Sequence, residues 1–314
     1  MLVLLYYMKR KIIKQGVNTL TLSLPSDWTK RLNLKPGDEV EVEERGTALN
    51  ISTEGTPQIE EISVDVSGLL PRLADRFMAR SYQKGYDKIN IKFDSEDLMV
   101  AVQNKVSELI GYEIMDISNN HIEIKAISSQ LDIDFDTTLR KGLLLLIDMG
   151  QTCQDAYAKG NKKALENIFH KDFDVNRFLY FCLRYLNKSA QRMSFGTSIL
   201  YYLIESLEDL GDELKVLGAL LAKIEKRKEN LIEILKKMNE MFRLSYEFFY
   251  KPEKQKAVRA FLLHKEIEKL IEKSLRTNNL NEIKALISMD FSTRIIYHLT
   301  TMRLDTLKEL SNNP

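Results

Sequence analysis

GTSILYYLIESLEDLGDEL, residues 196–214, is the stretch around which the rest of the chain can be ordered. Wound at 100° per residue, it places Ile199, Leu200, Leu203, Leu207, Leu210 and Leu214 on one flank and Glu205, Glu208, Asp209 and Asp212 on the other. The apolar flank predicts a packed helix. Four carboxylates gathered on one flank repel one another unless water, basic side chains or a metal compensates them.

A chain of 314 residues exceeds the usual size of a single core, which predicts two or three domains. With 46 Lys+Arg against 45 Asp+Glu the net charge is +1, so any binding of a polyanion must come from a local patch. Cys153 and Cys182 are too few and too far apart for a disulfide framework or a thiolate metal site, and fit a reducing, cytoplasmic setting. The opening MLVLLYY is too short before the basic MKRK for a signal peptide or a membrane span, and Met8 is a second candidate start.

From Met8 to about Gly55 the periodicity is that of strands. Leu20, Leu22 and Leu24 alternate with Thr19, Thr21 and Ser23, and Gly16 to Asn18 join this strand to a basic one carrying Lys9, Arg10, Lys11 and Lys14. SDWTKRLNL reads as a short helix capped by Ser26 with Trp28, Leu32 and Leu34 on its inner side. A turn at Pro36-Gly37-Asp38, a strand 39–43, a turn at 45–47 and a strand 48–52 close the unit. This ββαββ piece is too small to bury a core alone, and a partner copy supplies the missing surface.

A basic first strand, a Gly turn, a strand ending in LP, a short helix with Trp28, then LKPGDEVEV and a hairpin make this unit, residues 8–55, resemble the AbrB/SpoVT swapped-hairpin domains. The resemblance implies an intertwined homodimer facing DNA, with Lys9, Arg10, Lys11 and Lys14 as phosphate contacts and Lys30 and Arg31 as further ones. The other reading of the basic run is a charged guard on an edge strand.

Residues 58–128 read as a small α/β domain of order βαβαββ: a strand 58–67, a helix ended by Gly85, the strand KINIKFD, a helix capped at Asp97 and closed by Gly111, and a hairpin turned at Asn119-Asn120. Arg72, Arg76, Arg80, Lys84 and Lys88 form either a basic face for an anionic ligand or a solvated one. No phosphate-cradling Gly loop, GxSxG or HExxH is present, and His121 has no evident partner.

Residues 132–314 read as all-helical, with helices near 135–159, 162–187, 191–223, 226–250, 252–276 and 281–311. They repeat. FHKDFDVNRFLYF is echoed by LHKEIEKLIEK, with His170 against His264 and Asp172 against Glu266. The opening helix is echoed by STRIIYHLTTMRLDTLKEL, with Tyr201 against Tyr297, Asp209 against Asp305 and Leu214 against Leu310, at nearly the same offset. Two copies of a three-helix unit, about 132–224 and 225–314, account for both echoes, with the two histidines as repeat-structural residues.

A duplicated three-helix bundle with LEDLGDEL in its third helix resembles the PhoU family of phosphate-signalling proteins. An AbrB-like unit in front of it is similar to the archaeal-type phosphate uptake regulators. In that family carboxylates bind metal, which implies a divalent or iron-type ion at Asp172, Asn176, Glu208 and Asp212. Residues i and i+4 on one helix lie one above the other, so Glu208 and Asp212 can share a hard cation with Asp172. The alternative is a solvated acidic face offset by Lys and Arg. Asn176 departs from the family's acid, and in the second copy Leu270, Leu304 and Lys308 stand where Asn176, Glu208 and Asp212 stand in the first, so one site at most is expected.

The resulting expectation is a multidomain, non-enzymatic regulator. It contacts DNA through paired hairpins and senses a partner or metal through the bundle, with only peripheral contact to a membrane complex. The alternative is a cytoplasmic adaptor that docks on a phosphate transporter or its kinase, with the hairpin unit serving only to dimerise.

Overall fold

The computed structural model describes residues 10–16, 19–45, 48–53, 59–127, 134–188 and 197–307. The chain divides into two compact units, Met1–Gln58 and Ile59–Pro314.

In the first unit β1 (Ile13–Gln15) pairs antiparallel with β2 (Thr19–Thr21), and after α1 (Ser26–Arg31) β3 (Glu41–Arg45) pairs with β4 (Ala48–Ser52). The expected cap at Ser26 is corrected: Pro25 holds the N-cap position and Ser26 begins the helix. Pro25 carries no side-chain donor or acceptor, so its carbonyl alone engages the helix, accepting from the Thr29 N–H at 3.0 Å. The helix also ends earlier than expected. Asn33 is left-handed (φ 53), Leu34 N–H bonds the Thr29 carbonyl and Asn33 N–H that of Lys30, the paired bonds that close a Schellman C-terminus.

No described residue of this unit is buried. Ile13 is 58% exposed, Leu20 68%, Val42 58% and Leu49 65%, while Trp28, Leu32 and Leu34 are half-buried. Two separate two-stranded ribbons have no third strand to cover their apolar residues, and such hairpins are marginal in water by themselves.

The second unit opens with β5 (Glu61–Asp65), α2 (Pro71–Gln83), β6 (Lys88–Lys92), α3 (Glu96–Ser107), β7 (Tyr112–Ser118) and β8 (His121–Ala126). The sheet order is β5-β6-β8-β7, with β5 and β6 parallel and the other pairs antiparallel. Ile89, Ile91, Ile122 and Ile124 alternate onto one face and are fully buried. Glu61, Lys88, Glu123 and Lys125 alternate onto the other and form ion pairs. The expected cap of α3 at Asp97 is likewise corrected to Ser95, because the helix begins at Glu96.

Helices α4 (Phe135–Lys159), α5 (Lys162–Glu166), α6 (Ile168–Lys188), α7 (Thr197–Ala222), α8 (Glu229–Tyr250), α9 (Lys254–Ser274) and α10 (Leu280–Thr306) complete it. The helix expected at 162–187 is divided at Asn167 into α5 and α6, and the bend lets α7 come close. At Gly218 a Cβ would stand 2.9 Å from the Leu165 carbonyl oxygen and 2.8 Å from Ile168, so only glycine admits this approach. α4, α6 and α7 pack together, as do α8, α9 and α10, and the two groups join through α7 against α10 and α4 against α8. Asn239 fastens that joint, donating to the Gly150 carbonyl (3.0 Å) and to Gln154 Oε1 (2.9 Å).

The α/β region does not stand apart from these helices. Tyr180 of α6 belongs to the same buried cluster as the sheet isoleucines. Arg184 of α6 donates from Nη2 to Asp87 Oδ1 at 2.7 Å, and from Nη1 to the carbonyls of Tyr82 (3.1 Å) and Tyr86 (2.8 Å) and to the Tyr112 hydroxyl (3.1 Å). Its guanidinium also lies 5.1 and 5.0 Å from the Tyr82 and Tyr112 ring centres.

Candidate functional site

The basic residues of the first unit are placed by its two ribbons and short helix. Arg10 and Lys11 precede β1, Lys14 lies within it opposite Leu20, and Lys30 and Arg31 form the last turn of α1. All five are exposed. Lys9 lies outside the described residues.

The acidic flank of α7 is not gathered on one point: Asp209 and Asp212 are exposed, while Glu205 and Glu208 are turned into the protein. Glu208 is 4% exposed. Arg76 Nη1 of α2 donates to its Oε1 at 3.1 Å and the Tyr180 hydroxyl donates to the same oxygen at 3.0 Å. Arg80 grips both oxygens of Glu205. The fork of an arginine matches a carboxylate's two oxygens, which a lysine cannot do. Two residues of the basic face on α2 thus find their anions within the protein, while Arg72 and Lys84 remain exposed and Lys88 pairs with Glu61 and Glu123.

Asp172 and Asp212 converge on a different partner, the ammonium of Lys215. It donates to Asp172 Oδ2 at 2.6 Å and to Asp212 one turn before it on α7. Asp172 is 5% exposed, and its Oδ1 lies against Gly211, where a Cβ would come within 3.0 Å. That oxygen has no hydrogen-bond partner, nor has Oδ1 of Asn176 one turn along α6. The four residues therefore do not converge: Asp172 and Asp212 meet Lys215, Glu208 meets Arg76, and Asn176 Oδ1 meets neither cation. Among the described residues no three His, Cys, Asp or Glu side chains converge as a metal requires. In the second repeat Leu270 and Leu304 stand at the positions expected, and Lys308 lies outside the described residues.

Beneath Glu208 a second buried group completes the layer. Lys105 of α3 donates to Glu108 at 2.6 Å, pairs with Asp75 at 3.3 Å, and stands 5.7 Å from the Tyr180 ring centre. Lys105, Tyr180, Arg184 and Lys215 carry this seam, and none was apparent as a site residue in the sequence. The only signals were a charge set inside the apolar run FLYFCLRYL and a lysine one turn after Asp212.

Burial raises the Glu208 carboxyl above its ordinary value of 4.5, and Arg76 and Arg80 pull it back only in part. Burial likewise raises Asp172 and Asp209. A carboxyl whose folded value lies above its unfolded one holds an extra proton in the native state, so its contribution to stability falls as pH rises through that window. Glu208→Gln, uncharged throughout, is therefore expected to gain on the wild type as pH is raised through and above 4.5, the ordinary carboxyl value. Urea unfolding at a series of pH values measures the difference, and a difference constant with pH would refute the assignment.

Residues 13–49 match the family model of the antidote-toxin recognition protein MazE, a bacterial antitoxin. Comparisons with curated proteins and with solved structures gave no match. The family match lies wholly in the first unit and supports its reading as a swapped-hairpin domain. It does not extend to the helical half, where the likeness to PhoU proteins remains one of sequence pattern. No helix among the described residues is long and apolar enough to cross a membrane.

Proposed function

We propose that this protein is a homodimeric, non-enzymatic DNA-binding regulator whose paired N-terminal hairpins hold the DNA and whose helical half receives the signal. The observation that carries this reading is the first unit itself: a MazE-like hairpin pair over residues 13–49 with no buried residue of its own among those described and with exposed lysines on β1 and α1. A second copy supplies the missing core, and pairing doubles the basic surface, which favours a duplex with repeated half-sites. Lys9, Arg10, Lys11, Lys14, Lys30 and Arg31 are the proposed phosphate contacts.

The pairing is tested in the full chain by Ile13→Asp combined with Val42→Asp, which places charge on both ribbons. Sedimentation is expected to show a dimer for the wild type and a monomer for the variant. A variant that stays dimeric would move the interface elsewhere.

The signal proposed is phosphate status, from the resemblance of the duplicated bundle to phosphate uptake regulators. It would arrive through a partner such as a cytoplasmic face of a transporter or its kinase and shift the population of DNA-competent dimers. Deleting the gene is expected to uncouple phosphate uptake from phosphate supply. Unchanged uptake with intact DNA binding would leave a regulator of other genes. The MazE description favours one second reading, an antitoxin-type protein, which predicts a toxin partner recovered with the full chain.

A further inference from the structure

We infer that Lys215 is a built-in replacement for a metal ion on the acidic flank of α7, so that this seam is neutralised by the chain's own cations. The resemblance to PhoU proteins implies a metal at Asp172, Asn176, Glu208 and Asp212, and the side chains do not fit one. Lys215 Nζ already bridges Asp172 Oδ2, at 2.6 Å, and Asp212, the position a shared cation would take between α6 and α7. Glu208 is engaged by Arg76 and Tyr180 on the side facing α2. A divalent ion sharing the Asp172 oxygens would stand beside the Lys215 ammonium, and like charges at that range repel.

Asn176 fits the same account. A neutral amide in place of an acid lowers the negative charge that a single ammonium must balance, whereas a divalent ion would favour the acid. The acid at the matching position of the second helical group is also balanced by the chain's own cations. This acid, Glu266, accepts from Lys237 of α8 at 2.7 Å and from Arg259 at 3.3 Å. The two arrangements are not equivalent, because Lys215 comes from the third helix of its group and Lys237 from the first, and the Glu266 side chain is 41% exposed where that of Asp172 is 7%. The consequence is that the contact of α6 with α7 at Asp172 does not depend on metal supply.

The experiment uses the full chain purified without chelator, with Mn²⁺ as the probe ion for hard oxygen ligands. Elemental analysis and thermal unfolding with and without Mn²⁺ are compared for the wild type, Lys215→Gln and Lys215→Arg. The wild type and Lys215→Arg are expected to carry metal far below one ion per chain and to unfold at the same temperature with or without Mn²⁺. Lys215→Gln opens the position, leaving Asp172 and Asp212 without a cation. It is expected to unfold earlier in chelator, to bind Mn²⁺ roughly tenfold or more tightly than the wild type, and to recover stability on adding it. A wild type that retains a stoichiometric ion, or that loses stability on chelation, overturns the inference. So does a folded Lys215→Gln that gains no Mn²⁺ response. Should Lys215→Gln not fold, the wild-type and Lys215→Arg measurements decide between the same two outcomes.

Discussion

Arg184→Ala is expected to destabilise the 59–314 unit by about 3–5 kcal/mol, the usual cost of removing one partner of a buried, hydrogen-bonded ion pair. The side chains of Arg184 and Asp87 are 10% and 8% exposed. The substitution leaves Asp87 with Lys188 as its remaining ion-pair partner, takes a donor from the Tyr82 and Tyr86 carbonyls, and removes the cation between two tyrosine rings. Asp87 also accepts from the Glu60 N–H at 3.2 Å, so the loss is transmitted to the start of β5. For a unit of this size the midpoint of thermal unfolding should fall by roughly 10 °C.

Arg184→Lys keeps a charge but lacks the planar fork that reaches a carboxylate, two carbonyls and a hydroxyl together, and is expected to recover less than half of the loss. The double change Arg184→Ala with Asp87→Ala should cost less than the sum of the two single changes, because the buried carboxylate left with Lys188 as its remaining cation is then gone. Urea unfolding of the wild type and the four variants, Arg184→Ala, Arg184→Lys, Asp87→Ala and the double change, measures all of this. A loss below about 1 kcal/mol for Arg184→Ala would show that the α/β region is held to α6 by its apolar contacts alone.

The second large effect is on DNA. Lys11→Ala with Lys14→Ala removes two proposed phosphate contacts from each chain and four from the dimer. The slope of log K against log salt should become shallower by about four units, near 0.9 for each contact on duplex DNA. Near physiological salt this amounts to a loss of affinity of roughly a hundredfold or more, uniform across sequences because phosphates carry no base identity. The changes lie at exposed positions, one just before β1 and one within it, so folding and pairing should survive and sedimentation should still show a dimer. An unchanged slope would return the basic run to the role of an edge guard and leave the first unit as a dimerisation device only.

Local rules made most of the secondary structure legible. The period of two over residues 19–24, the turn residues around Pro36 and Asn119, and the recurrence of apolar residues at three and four each select a backbone state over a few neighbours. The element order and the positions of Leu203, Leu207, Leu210 and Leu214 in the core follow from such rules. Caps were read less well. Ser26 and Asp97 were expected as caps and lie inside their helices, one position after Pro25 and two after Ser95 respectively. A side chain able to cap does so only where the backbone leaves the helix at that residue.

The acidic flank shows what local rules leave open. Its carboxylates, the basic face of α2 and the lysine after Asp212 are all visible in the chain, but Arg76 and Glu208 are separated by 132 positions and Arg184 and Asp87 by 97. Which charge meets which depends on how α2 lies across α6 and α7, and that is set by the packing of Tyr180 with the sheet isoleucines and by Gly211 and Gly218 admitting close helices. Sequence by itself determined the elements and the lack of a self-sufficient core among the described residues of the first unit, because these depend on near neighbours and on counting apolar surface. Only the tertiary structure decided that Glu208 faces an arginine and Asp172 a lysine, because a charge in a shielded site takes the partner that folding brings within reach.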